Sequence, residues 1–92
     1  MKKLIKKLKD VMGVNKVTHY KNLIAVKCDN NYGAHICTDT GREGAIVGTY
    51  ELVPLADSAI EWGIAGIDYR HDDLTDEQVI GYVNRIAAVI ER

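Results

Sequence analysis

Apolar residues recur at helical spacing near both ends of this chain and alternate with polar ones between them. Over residues 2–12, Leu4, Ile5, Leu8, Val11 and Met12 form one stripe, lysines fill the other face, and Gly13 stands where a left-handed C-terminal cap belongs. This predicts an amphipathic helix. Near the other end, Val79, Val83, Ile86, Ala87 and Ile90 form a second stripe. Thr75-Asp76-Glu77-Gln78 precedes it and matches a capping box with Thr75 as the cap, while Asp76 and Glu77 suit the positive end of the helix dipole.

The middle of the chain reads as strands. Lys16–Tyr20 and Leu23–Cys28 carry β-branched and aromatic residues and meet at Lys21-Asn22, which predicts a hairpin. Asp29-Asn30-Asn31 is turn chemistry, because Asn and Asp tolerate left-handed backbone, and a third strand is expected from Tyr32 to Thr38. After a turn at residues 39–44, a fourth strand is expected from Ala45 to Val53, with Pro54 limiting further pairing. Residues 55–67 are ambiguous: Ile60, Trp62 and Ile64 alternate as in a strand, while Ile60, Ile64 and Ile67 recur as in a helix, and a strand is favoured. Asp68 to Asp73 reads as a polar loop. The expected fold class is α+β: an antiparallel β-meander sheet of four to five strands packed by an N-terminal and a C-terminal helix, one domain over residues 1–92. One sheet face should lie under the helices and the other should be partly free.

Ninety-two residues supply one hydrophobic core and not two, and an apolar content of 47% with 27% charged residues is that of an ordinary globular domain. No apolar run approaches the roughly 20 residues of a membrane span, and Lys6, Lys7 and Lys9 interrupt what would be the apolar part of a secretory signal. Cys28 and Cys37 form no disulfide framework and suit a reducing compartment, so a cytoplasmic location is expected. The net charge of −1 conceals a polarity: the first 27 residues hold eight lysines against Asp10, and the remainder is strongly acidic. Such asymmetry guides association with charged partners if folding preserves it in space.

Candidate chemistry is sparse. Cys28, Cys37, His19 and His35 fall on neighbouring expected strands, but only His35 and Cys37 are close in sequence, and tight ligand pairs of the kind that fix zinc are missing. Small buried thiols and a half-exposed histidine explain them as well, and neither a metal nor any other cofactor is expected. No group is placed recognisably to orient a histidine beside a thiolate, and Gly41, Gly44 and Gly48 match neither phosphate-cradling fingerprint. No enzymatic activity is expected. Lys2, Lys3, Lys6, Lys7 and Lys9 are candidate phosphate contacts, or simply a solvated helix face. Tyr69, Arg70, Asp72 and Asp73 are candidate partner contacts, since Tyr and Arg anchor interfaces, although the carboxylates also suit a solvated loop before a helix.

In Asn31-Tyr32-Gly33-Ala34, Gly48-Thr49-Tyr50-Glu51 and Asp76-Glu77-Gln78-Val79-Ile80-Gly81-Tyr82, and in size and style, the chain resembles the small uncharacterised proteins of bacteriophages and prophages. That resemblance implies a setting, in which small single-domain proteins bind and block a host enzyme or defence complex, as anti-CRISPR inhibitors do. The expectation is therefore a non-catalytic protein-binding module that meets a basic surface of a host protein through its acidic segment. Nucleic-acid or anionic-surface binding through the lysine helix is the alternative, and a homodimer is a further option because symmetric pairing buries exposed apolar surface.

Overall fold

The computed structural model describes residues 2–37, 49–56, 59–60 and 71–89, of which 59–60 are described by their backbone. In chain order the elements are α1 (Lys2–Lys9), β1 (Val14–Tyr20), β2 (Leu23–Cys28), β3 (Tyr32–Cys37), β4 (Tyr50–Ala56), β5 (Ala59–Ile60), β6 (His71–Leu74) and α2 (Asp76–Ala87). Among the described residues the strands form one six-stranded sheet in the order β1-β2-β3-β4-β5, with β6 also on β4, and every pairing is antiparallel. The α+β meander under an N-terminal and a C-terminal helix is thus the fold of the chain.

Strand alternation divides the sheet into two faces. Ile24, Val26 and Cys28 on β2, Ala34 and Ile36 on β3, and Tyr50 and Leu52 on β4 turn to one side, where Leu4, Leu8 and Val11 and α2's Val79, Val83 and Ile86 meet them. Nearly all of these are almost completely shielded from water. Each buried aliphatic side chain contributes about 1.5–3 kcal/mol, so this layer is what holds the two helices on the sheet.

The capping box forms as the sequence predicts: the Thr75 hydroxyl accepts from the Gln78 backbone N–H at 3.3 Å, and the Gln78 side-chain Oε1 accepts from the Thr75 N–H at 2.8 Å. Gly13 takes φ +91°, and Asn31 in the turn before β3 takes φ +69°. The helix α1 is shorter than the expected 2–12. It ends at Lys9, and Val11 reaches the core from the turn that follows, while Met12 is 91% exposed.

Two further expectations are corrected. The fourth strand does not stop before Pro54 but continues through it to Ala56. On the outer edge of β4, β6 pairs at Tyr50 and Leu52 and β5 pairs at Leu55 and Ala56, so Pro54 falls between them, where its missing donor is tolerated. The supposed polar loop 68–73 is strand from His71 onward, because β6 pairs with β4 and buries Leu74; residues 68–70 lie outside the described residues. Of the ambiguous stretch 55–67, residues 55–56 belong to β4 and Ala59–Ile60 are strand, and the remainder lies outside the described residues. The same holds for the turn at 39–44, Gly41, Gly44, Gly48 and the stretch 45–48. No helix among the described residues is long and apolar enough to cross a membrane.

Candidate functional site

Among the described residues the lysines and an acidic group lie at different parts of the fold. The strand β1 is an edge of the sheet, β2 lies next to it, and α1 packs against β1. Lys2, Lys3, Lys6, Lys7 and Lys9 on α1 are all exposed, and so are Lys16, Lys21 and Lys27 on the hairpin. Eight lysines therefore share this flank of the described fold, those of α1 on the helix-covered side and Lys16 and Lys27 on the opposite face, accompanied by the exposed Asp10 and Asp29.

At the other side of the sheet, β6 runs directly into α2, which brings Asp72, Asp73, Asp76 and Glu77 together. Asp73 adopts φ +58°, a left-handed conformation that Asp accepts more readily than most residues. Asp72 and Asp73 are half-buried and engaged within the protein, while Glu77 is exposed. Asp76 lies near the Tyr50 hydroxyl, whose pKa is raised by burial first and by this carboxylate second. Two of the four residues expected to meet a partner, Tyr69 and Arg70, lie outside the described residues.

Sequence reasoning missed an aromatic cluster beside these carboxylates. The rings of His71 and Tyr82 lie 4.6 Å apart, and the Tyr82 hydroxyl is 3.2 Å from Nδ1 of His71. The Arg85 guanidinium sits 5.5 Å from the centre of the Tyr82 ring. The pairing of Tyr82 with Arg85 was legible as an i, i+3 relationship on a helix, but His71 joins them only because β6 exists.

The thiols and imidazoles do not converge. By register, His19 and Cys28 belong to the helix-covered side of the sheet and His35 and Cys37 to the other. Among the described residues no group of three or more His, Cys, Asp or Glu is close enough to hold a metal ion. Burial, aided by Asp29, pushes the Cys28 thiol up to about 11, and burial with Glu51 raises Cys37. Both thiols are therefore protonated at neutral pH and weak nucleophiles.

The face away from the helices carries a groove of about 240 Å³, lined by Lys16, Thr18, Ala25, Lys27, Gly33, His35 and Leu55, with Asn31. Strand register explains its shape. Lys16, Lys27, Gly33 and Leu55 stand side by side across the four strands, and Thr18, Ala25, His35 and Val53 form the next row. Gly33 and Ala25 project almost nothing, so they leave a floor between taller neighbours. Gly33 is required there, because a Cβ would overlap the carbonyl of Val26 on β2.

Compared with known proteins, the chain matches no family model, no curated protein and no solved structure.

Proposed function

We propose that this chain is a non-catalytic protein-binding module, a cytoplasmic accessory protein of a phage or mobile element that inhibits a host enzyme or defence complex by covering a basic surface on it. The observation that carries the reading is the gathering of Asp72, Asp73, Asp76 and Glu77 at one side of the sheet, across from the lysine flank. A surface of this kind steers a basic partner into place and repels acidic ones. The neighbouring Tyr82 and Arg85 are the residue types that anchor interfaces. Carboxylates on β6 have a structural use as well, since charges on a short outer strand discourage edge-to-edge aggregation.

The test is affinity capture of the tagged protein from nuclease-treated bacterial lysate, with the triple variant Asp72→Asn, Asp73→Asn, Glu77→Gln in parallel. A single stoichiometric protein that the wild type retains and the folded variant loses supports the reading. Equal capture by both removes the acidic side from it.

A second reading, nucleic-acid or anionic-surface binding, is favoured by the packing of α1 on the outer strand β1, which leaves Lys2, Lys3, Lys6, Lys7 and Lys9 exposed together on one helix. Binding of this kind weakens steeply with salt through counterion release. A mobility shift that disappears on changing those five α1 lysines to Gln supports it, and no shift at low salt rejects it.

A further inference from the structure

We infer that the groove on the helix-free face of the sheet is a binding site for a phosphate monoester, with Lys16 and Lys27 as its anion contacts. This site is separate from the carboxylates and from the lysines of α1, and it depends on neither reading above.

Lys16 and Lys27 are register partners on β1 and β2, so their side chains leave the same face directly opposite each other. Opposed residues of this kind have Cβ atoms about 4.5–5.5 Å apart, and like charges in that relationship destabilise a strand pair. Both lysines are exposed, and among the described residues no carboxylate lines the groove. A local rule broken in this way is characteristic of a functional site. An anion seated between the two ammonium groups supplies the compensation.

The surroundings narrow its chemistry. Gly33 beside Lys27 and Ala25 beside Thr18 keep the floor open, so a ligand can sit low between the strands. The Thr18 hydroxyl and the His35 ring add hydrogen-bonding groups at the rim, and Leu55 closes the far side with an apolar wall. Two positive charges match the charge of about −1.5 to −2 on a monoester phosphate at neutral pH better than the single charge of a diester. A volume of about 240 Å³ lies below the usual range for drug-sized ligands and fits a phosphate with one small attached group.

The test is amide-resolved NMR titration of the full chain with inorganic phosphate, ribose 5-phosphate, O-phosphoserine and, as a monoanionic control, dimethyl phosphate. Saturable shifts confined to β1, β2 and β3 around residues 16–18, 25–27 and 33–35, with the monoesters ahead of dimethyl phosphate, are expected. Tighter binding of ribose 5-phosphate identifies a sugar phosphate as the source, and tighter binding of O-phosphoserine a phosphorylated side chain. Lys16→Gln and Lys27→Gln should each weaken binding about tenfold, because each removes one charge-assisted contact. Both variants should also fold at least as stably as wild type, since each relieves the opposed charges. Ala25→Leu raises the floor and should block binding without touching a charge. The proposal is overturned if shifts are unsaturable, if they centre on α1, or if the Lys16→Gln, Lys27→Gln double variant binds as wild type does.

Discussion

The side-chain amide of Asn30 donates to the backbone carbonyl of Ile86 at 2.9 Å, joining the turn before β3 to the end of α2 across 56 positions of sequence. The same nitrogen reaches the carbonyl of Val89 at 2.9 Å and that of Ala87 at 3.4 Å, while Oδ1 accepts from the Tyr32 N–H at 3.0 Å. The last carbonyls of a helix have no partner within it, and one side chain here supplies them from another element.

Asn30→Ala removes the side-chain donor from those carbonyls, of which that of Ile86 keeps its 3.2 Å bond from the Val89 N–H, and should cost about 1–3 kcal/mol. Asn30→Asp should cost more, because it replaces a donor with a negative charge at the negative end of the helix dipole. Urea unfolding of the two variants checks the order, and an Asp variant as stable as wild type contradicts the capping role.

Gly13 meets the same end of α2. Its φ is +91°, and a Cβ there would lie 3.3 Å from both the Cβ and the carbonyl oxygen of Ala87. Gly13→Ala should cost about 1–2 kcal/mol from the left-handed backbone, with crowding added. In a double-mutant cycle with Ala87→Gly, the crowding against the Ala87 Cβ appears as a coupling energy, while the backbone contribution and the crowding against the Ala87 carbonyl remain.

Cys28 makes stability depend on pH. Its thiol ionises near 11 in the folded protein against 9.0 for an ordinary thiol, so the folded state holds its proton longer than the unfolded state does. Where the folded state binds more protons, stability falls as pH rises. The contribution is therefore complete below pH 9 and lost progressively toward pH 11, by about 2–3 kcal/mol. Cys28→Ala should show a shallower decline over that window in denaturant titrations. Parallel pH profiles for variant and wild type contradict the assignment.

Asp73 separates folding from binding. At φ +58° a β-branched side chain is strained, so Asp73→Val should lose about 1–2 kcal/mol. Asn accepts the left-handed region readily, so Asp73→Asn should keep the melting temperature within a few degrees while removing the charge. If the proposed protein partner is bound through this carboxylate, Asp73→Asn loses affinity with its fold intact.

Periodicity and turn chemistry were enough to locate α1, α2, β1, β2 and β3, because each depends on neighbours within a few positions. Thr75 and Gln78 lie three residues apart and cap one another, and Lys21-Asn22 and Asn31 turn the chain where the pattern breaks. The position of β6 was not legible in that way. Its His71-Asp72-Asp73-Leu74 has no strand-like pattern and is a strand because β4 offers it an edge to pair with. Pro54 was misread as a stop for the same reason: whether a missing N–H matters depends on what lies across from it.

The candidate sites divide similarly. Composition alone separated the lysines from most carboxylates along the chain, and the lysines came to lie on one flank of the described fold because β1 took the outer position in the strand order and α1 packed against it. The opposition of Lys16 and Lys27, the floor at Gly33 and the reach of Asn30 to α2 arise from strand register and helix docking. Local sequence determined which elements this chain forms, since hydrogen bonds and backbone angles within a few residues select them. Tertiary structure alone decided which side chains meet, since that depends on how distant apolar faces find a common core.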